Sequence, residues 1–291
     1  MLRWRLFGAA LLWLVLVPQA SAISVADDRG TTLHLSRPAA RIVSLAPHVT
    51  ELVYAAGAGA RLAGVTAYSD YPAEARRLPL LGDSGKVDVE RILALKPDLV
   101  IGWQSGNHTG DLAQLERLGI KVFVTEPRHL RDIPRLLRRI GELAGTSAGA
   151  ESAARGFEQL RRDLQERFAG RPPVSVFYQI WDSPLMTVNG EHLISDVISL
   201  CGGRNVFAGV GALTPTVSVE AVLAADPRVI VASGSLYQDD RVWRTWRRFP
   251  NLAAVRGGYL FFVDPDLIQR HTPRILQGAR QLCEQLETAR R

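Results

Sequence analysis

Three aromatic residues follow apolar runs of this chain, each at the point where a β-strand would end. Tyr68, Trp103 and Trp181 come just after such runs, and the polar segment 266–270 follows another. The flat faces of aromatic rings suit a large, flat, partly apolar ligand. The acid and the arginine at the two ends of the polar segment can hydrogen-bond amide or carboxylate groups at the ligand's periphery. Each ring alone is more simply explained as core filling, so the shared position at strand ends is what suggests a binding site.

No nucleophile and base can be assembled from the sequence. Residues 82–85 (GDSG) resemble the nucleophile segment of trypsin-like proteases, but the histidine and cysteine neighbourhood of those enzymes is absent. An alternating α/β pattern is also a different scaffold. The same segment is too short between its glycines for a phosphate-binding loop. We therefore predict no catalytic residues and no enzymatic activity, with a secreted α/β hydrolase as the alternative from another class.

The six histidines are scattered along the chain, and no two of them have the His-x-x-x-His spacing of a metal site on a helix. His48 and Glu51 could share a helix face and a metal ion. A surface pair or a contact at the start of a helix explains them more simply. We predict no metal site and no cofactor.

An internal repeat divides the chain. Residues 87–101 (VDVERILALKPDLVI) and 217–231 (VSVEAVLAADPRVIV) share Val, Val, Glu, Leu, Ala and Pro at matching positions. In each copy a short polar residue, Asp88 or Ser218, can cap a helix that a proline then ends, and an apolar run enters a buried strand. The repeat predicts two similar α/β lobes.

Glu90 and Glu220 occupy equivalent places in the first turn of the two repeated helices. Two interpretations stay open. A carboxylate near a helix N-terminus gains roughly 0.3 to 1 kcal/mol from the helix dipole, which alone could explain both acids. Alternatively, two acids on two similar lobes face a symmetric partner that carries arginines, since carboxylate and guanidinium pair with geometric specificity.

Helical and apolar stretches alternate in each half, the pattern of a mainly parallel sheet flanked by helices. Residues 147–168 contain no proline and have apolar residues at helical spacing. At about 1.5 Å per residue this helix would be roughly 33 Å long, enough to join two lobes. An ordinary helix packed on one lobe is the alternative. We predict an N-terminal lobe over residues 23–145, a rigid connecting helix over 146–170 and a C-terminal lobe over 171–291, with the ligand site in the cleft between lobes.

The N-terminus predicts export. Residues 1–22 combine two arginines, an apolar run of about a dozen residues and a small-residue cleavage site, which indicates a signal peptide cleaved after Ala22 and a periplasmic protein. A membrane anchor is the alternative, although the run falls short of the roughly 20 residues that span a bilayer. In an oxidising compartment we expect Cys201 and Cys283 to form a disulfide, with two buried thiols as the alternative. The arginines are spread along helical stretches, so no nucleic-acid partner is predicted.

Several motifs resemble the cobalamin-binding family of periplasmic receptors, whose fold is the class III periplasmic binding protein. The similar segments are residues 41–52 (RIVSLAPHVTEL), 68–72 (YSDYP), 89–101 (VERILALKPDLVI), 201–207 (CGGRNVF) and 272–274 (TPR). The resemblance extends over about residues 41 to 286. Receptors for haem and ferric siderophores share several of these stretches, and such a receptor is the alternative function.

The resemblance implies a soluble, monomeric protein that captures cobalamin or a related metal chelate and delivers it to an ABC transporter permease dimer. Glu90 and Glu220 would dock on permease arginines, and Cys201 would bond Cys283. The residues expected at the ligand are Pro47, Tyr68, Trp103, Trp181, Asp266, Leu267, Ile268, Gln269 and Arg270.

The sequence also departs from the pattern of that family. The family has tryptophan near Ser84 and at Thr214, and aromatic residues where this chain has Leu267 and Ile268. A pocket with fewer aromatic rings would be wider, weaker or suited to a different corrinoid, unless Trp181 compensates.

Overall fold

The computed structural model describes residues 22–168, 170–234 and 241–291. The predicted signal peptide lies outside these ranges except for Ala22. Across the described ranges, no helix combines the length and the apolar character needed to cross a membrane.

The N-terminal lobe is a four-stranded parallel sheet with helices around it, preceded by an antiparallel hairpin. Its elements are β1 (Ile23–Ala26), β2 (Thr32–Leu35), β3 (Ile42–Ser44), α1 (Pro47–Ala55), β4 (Leu62–Val65), α2 (Val89–Ala94), β5 (Leu99–Trp103), α3 (Thr109–Arg117), β6 (Val122–Thr125) and α4 (Asp132–Ala144), with two short 3-10 helices at Gly59–Arg61 and Ala73–Arg77. The sheet order is β4-β3-β5-β6, and β1 pairs with β2.

One helix, α5 (Ser147–Phe168), then leads to the C-terminal lobe. The elements of that lobe are β7 (Val174–Gln179), β8 (Trp181–Asp182), β9 (Leu185–Met186), α6 (Leu193–Leu200), β10 (Gly203–Asn205), α7 (Val219–Ala225), β11 (Val229–Ala232), α8 (Arg241–Arg247), α9 (Ala253–Arg256), β12 (Leu260–Phe262), α10 (Pro265–Ile268) and α11 (Ile275–Arg290). Its parallel sheet has the order β10-β7-β11-β12.

The two sheets have the same topology. In each, the first strand lies between the second and the third, and the fourth strand is at an edge. The repeated helices also begin alike, because Asp88 and Ser218 each accept a hydrogen bond from the backbone N–H three residues later. Lys96 and Asp226, each just before the proline that follows the helix, both have left-handed backbone. The predicted repeat, its caps and the two-lobed α/β fold class are confirmed.

The connecting helix α5 packs its apolar side into the same core as both sheets. Its buried residues are Ala150, Ala154, Phe157, Leu164 and Phe168. They belong to one cluster that contains strand residues of the N-terminal lobe and of the C-terminal lobe. On the polar side, Arg138 of α4 pairs with Glu151 and Glu158 of α5, at 2.6 and 2.7 Å. The helix is therefore held along its length.

The predicted disulfide is confirmed. Cys201, the residue after α6, is bonded to Cys283 of α11, and both are fully buried. The bond joins the helix after the first strand of the C-terminal sheet to the last helix of the chain.

Candidate functional site

The carboxyl ends of the two sheets meet at one cleft. Trp103 is the last residue of β5 in the N-terminal lobe, and His271 lies beyond β12 in the C-terminal lobe. Their ring centroids are 6.0 Å apart and the rings are nearly perpendicular. Open α/β sheets bind ligands outside the carboxyl ends of their strands, so this cleft is the candidate site.

A cavity of about 290 Å³ lies between the lobes at the base of the cleft. Residues from both lobes line it, among them Trp103, Ser105, Arg128, His192, Thr214, Gln269 and His271. This cavity is smaller than a whole corrinoid. A ligand of that size would therefore occupy the open cleft and place only part of itself in the cavity.

Three histidine rings and one tryptophan form the floor of the cleft. The centroid of His271 is 5.5 Å from that of His48 and 5.8 Å from that of His192, and His48 is 5.0 Å from Trp103. Burial lowers the pKa of His48 to about 3, with a smaller contribution from Arg270, and burial lowers the pKa of His192 to about 4. The pKa of His271 is also well below its ordinary value, mainly because of burial. The cluster is neutral at neutral pH.

Sequence reasoning did not find this cluster. Its members come from α1, from the start of α6 and from the segment after α10, so no local spacing connects them. One signal was available: His48 directly follows Pro47, and His271 directly follows the segment 266–270, both of which were expected at the ligand.

Two of the exposed aromatic residues in the described ranges lie at the rim of the cleft. Tyr68 follows β4 and is 79% exposed, and Trp181 in β8 is 49% exposed. Tyr68 has a left-handed φ of 65°, which is uncommon for a bulky residue. Such strained conformations are concentrated at functional sites. Both rings are accessible at the carboxyl ends of strands, where the sequence placed them.

The predicted ligand-binding arginine is already engaged by carboxylates. The Arg270 guanidinium contacts Glu51 at 3.0 Å, Asp70 at 2.6 Å and Asp266 at 2.9 Å. The buried Glu51 also binds Arg274 at 2.7 Å. Since Glu51 and Asp70 belong to the N-terminal lobe, Arg270 joins the two lobes, and it has less capacity for ligand contacts than the sequence suggested.

The other predicted residues lie in different environments. Gln269 lines the cavity, and its Nε2 donates to the Ser233 carbonyl at 3.1 Å. Pro47 at the start of α1 and Leu267 are half-buried. Ile268 is fully buried in the core, so its side chain does not reach the cleft surface, and that expectation needs correction.

The two positions where the resemblance led us to expect tryptophan have small side chains. Thr214 lines the cavity, and Ser84 is not among the lining residues. The carbonyl of Ser84 accepts a hydrogen bond from Asn107 Nδ2 at 2.8 Å, and Asn107 Oδ1 in turn accepts from the backbone N–H of Trp103. The Trp103 segment is therefore braced by backbone contacts around Ser84.

Glu90 and Glu220 are not among the residues that line the cavity; they lie in the first turns of α2 and α7, and both are exposed. Neither forms an ion pair with any residue of the described ranges. A hydrogen bond with its own backbone and another with Ser218 lower the pKa of Glu220. Both carboxylates are thus available to a partner.

Comparison with known proteins places the chain in a family. The model of the family described as Periplasmic binding protein matches residues 42–267. The chain belongs to this family. A vitamin B12-binding protein of Yersinia pestis is 41% identical over 251 residues, which cover 86% of this chain and 88% of the relative.

Solved structures agree in fold with this one. The periplasmic vitamin B12 binding protein BtuF of Vibrio cholerae superposes with a TM-score of 0.81 at 37% identity, covering 87% of this chain and 98% of that one. The periplasmic haem-binding protein RhuT from Roseiflexus gives a TM-score of 0.75 at 25% identity, covering 86% and 99%. The family is one of substrate-binding transport proteins.

Proposed function

We propose that this protein captures cobalamin in the cleft between its lobes and delivers it to an ABC transporter permease. The observation that carries the proposal is the cleft itself, where aromatic rings from both lobes surround a small neutral cavity. Such a surface suits a flat chelate too large to be enclosed. Vitamin B12-binding relatives that match over most of the chain favour cobalamin among such chelates.

The residues take distinct roles in this proposal. Tyr68 and Trp181 at the rim and Trp103 at the floor supply flat contact area for the corrin ring. Gln269 and Asp266 offer polar groups to its amide periphery, with Pro47 and Leu267 beside them. Arg270 acts mainly by holding the two lobes at a fixed separation, because three carboxylates already surround it.

Isothermal titration of the purified exported protein with cyanocobalamin tests the proposal, with haemin and a hydroxamate ferric siderophore titrated in parallel. We expect saturable one-to-one binding of cyanocobalamin alone. Binding of haemin or of the siderophore alone would overturn the choice of ligand and leave the cleft as the site.

Haem is the second candidate, and one observation favours it. Tyr68 presents an exposed phenol at the rim, a group that can ligate haem iron. A visible absorption spectrum of the protein with haemin distinguishes the two, since ligation by Tyr68 would shift the haem bands and Tyr68→Phe would abolish that shift.

The hydrolase alternative finds no support in the described residues. Ser84 forms no hydrogen bond with a histidine there. Residues 145–149 have the Gly-x-Ser-x-Gly spacing of a hydrolase nucleophile elbow, yet they connect α4 to α5 and do not follow a strand, as that elbow requires. An unchanged rate of ester hydrolysis in Ser84→Ala and Ser147→Ala would agree with a protein that has no catalytic serine.

Glu90 and Glu220 are proposed to dock on arginines of the permease. Both are exposed at matching positions of the two lobes, and neither has an ion-pair partner among the described residues, as a symmetric partner requires. In Glu90→Ala/Glu220→Ala we expect unchanged cyanocobalamin affinity and impaired uptake in cells. Glu166→Ala/Glu284→Ala, which removes two other exposed acids, is the matched control and should transport normally. Loss of affinity would instead place these acids in the pocket or in the fold.

We further propose that residues 1–22 are a signal peptide, that the mature protein starts at Ile23 in the periplasm, and that it is a monomer of two lobes joined by α5. Mass spectrometry of the protein from a periplasmic extract tests the cleavage site. Light scattering of the same sample tests the oligomeric state, and a dimer would contradict the proposal.

A further inference from the structure

The cavity at the base of the cleft is lined by groups that carry no uncompensated charge. Its acid and its arginine, Glu126 and Arg128, lie 3.5 Å from each other, and Glu126 also accepts a hydrogen bond from the backbone N–H of Ser105 at 3.1 Å. The polar groups that remain are neutral. A polar lining of this kind suits an uncharged hydrogen-bonding group better than an ion, because an ion would lose hydration without gaining a counter-charge.

One imidazole in the lining has a fixed tautomer. Nδ1 of His192 accepts a hydrogen bond from the backbone N–H of Ile194 at 3.1 Å, which caps α6. A backbone N–H can only donate, so Nδ1 carries the lone pair. Burial keeps the pKa of His192 near 4, so the ring is neutral and its single proton is on Nε2.

Nε2–H of His192 has no hydrogen-bond partner in the described parts of the chain. The centroid of the His271 ring lies 5.8 Å away, and no hydrogen bond joins the two rings. His192 therefore offers one unused donor in a cavity between the lobes. Because Nε2 carries the proton, this nitrogen cannot serve as a ligand to the metal of a bound chelate.

We propose that the cavity binds one carboxamide substituent of the corrinoid, with His192 Nε2–H donating to the carbonyl oxygen of that amide. The inference rests on the proposed cobalamin function and makes His192 a specificity-determining residue of the same site. At about 290 Å³ the cavity has room for an amide-bearing side chain of the ligand.

Peripheral charge distinguishes the chelates in this scheme. A corrinoid carries neutral carboxamides, whereas haem carries carboxylates. A carboxylate in the cavity would need a free cation, but Arg128 is paired with Glu126 and Arg270 is surrounded by three carboxylates. The neutral donor of His192 thus favours an amide-bearing ligand over an acid-bearing one.

His192→Asn tests the proposal without removing the helix cap, since asparagine is among the best capping residues and is too short to reach the position of Nε2. His108→Asn is the matched control, because His108 precedes α3 in the corresponding cap position but is exposed and away from the cavity. We expect cyanocobalamin to bind His192→Asn about 3- to 10-fold more weakly than the wild type, the range for losing one neutral hydrogen bond. His108→Asn should bind normally, and His192→Gln, which retains a terminal N–H, should recover part of the loss.

The cyanocobalamin monocarboxylic acids, in which one carboxamide is hydrolysed, provide a readout that a purely structural role would not change. The isomer that carries its carboxylate at the amide bound in the cavity should bind the wild type more weakly than cyanocobalamin does. For His192→Asn, the difference in affinity between that isomer and cyanocobalamin should be smaller. Wild-type affinity for cyanocobalamin in a folded His192→Asn, or equal losses for all isomers in both proteins, would overturn the inference alone. Failure of the wild type to bind cyanocobalamin would overturn the proposed function and this inference with it.

Discussion

The two lobes have the same topology but are tied across the cleft by different chemistry. α1 and α6 are equivalent helices, each between the first and second strands of its sheet. Each carries an acid that reaches the opposite lobe in the segment after that lobe's last strand. Glu51 of α1 binds Arg270 and Arg274, while Asp196 of α6 accepts from the backbone N–H of Leu130. Topology thus determines where the contacts form.

Residue types determine how strong those contacts are. The Glu51 side chain is 3% exposed and pairs with two guanidinium groups, whereas the Asp196 side chain is 34% exposed and lies 3.3 Å from Nδ1 of His129. Buried charge pairs are strongly coupled, and half-exposed ones are screened by water. Of these two contacts, the one at Glu51 should therefore hold the lobes together more strongly.

The ends of the same two helices differ as well. After α6, Cys201 is covalently bonded to Cys283 of α11. After α1, the carbonyl of Ala56 accepts a hydrogen bond from Thr146 Oγ1 at 2.7 Å. A covalent link in one lobe corresponds to a single hydrogen bond in the other.

The largest expected loss of stability comes from removing the covalent link at the end of α6, compared with the hydrogen bond at the end of α1. Cys201→Ala/Cys283→Ala removes a cross-link between residues 82 positions apart. We expect the free energy of unfolding to fall by roughly 4 kcal/mol. Thr146→Val, which removes the corresponding hydrogen bond, should cost about 1 kcal/mol. Urea unfolding followed by circular dichroism measures both, and equal losses would show that the cross-link adds nothing beyond a hydrogen bond.

The second effect compares the two acids that cross the cleft. Glu51→Gln leaves Arg270 and Arg274 without their shared buried carboxylate, and we expect a loss of about 3 kcal/mol in the free energy of unfolding. Asp196→Asn should lose less than about 1 kcal/mol because its carboxylate is partly hydrated. Urea unfolding at low salt measures the difference. If the two losses were equal, burial of Glu51 would not be the cause.

The third effect concerns the histidines at the starts of α1 and α6. The pKa of His48 is about 3 and that of His192 about 4, both below the ordinary value, so between these values and pH 6.5 the unfolded chain binds more protons than the folded one. The free energy of unfolding should therefore fall with decreasing pH below 6.5, by up to about 1.4 kcal/mol per pH unit for each histidine.

His48→Gln should show a shallower fall in stability than the wild type between pH 6.5 and pH 5. Thermal or urea unfolding over this range measures the slope. His108→Gln, the same substitution at an exposed histidine outside this cluster, provides the control. An unaltered slope in His48→Gln would mean that this ring is hydrated in the folded protein.

Local and periodic features were readable from the sequence, and contacts between distant segments were not. The repeat and the caps at Asp88 and Ser218 follow from nearby residue types. The pairing of the cysteines follows because the chain has only two of them. The contact between Glu51 and Arg270 joins residues 219 positions apart, and no pattern along the chain predicts it. Arg270 was likewise expected to face the ligand, although two carboxylates from the other lobe, Glu51 and Asp70, contact it.

The smallest expected effect tests whether the lobes are alike where the sequence repeats. Asp88→Ala and Ser218→Ala each remove one helix cap, and we expect each to lower the free energy of unfolding by about 1 kcal/mol. Asp88 also lies 3.1 Å from Arg91, but both side chains are exposed, so this ion pair adds little. Urea unfolding of both variants should give nearly equal losses. A much larger loss in one lobe would show that the repeated helix of that lobe contributes more to the stability of the fold than the equivalent helix of the other lobe. The symmetry of the repeat would then not extend to stability.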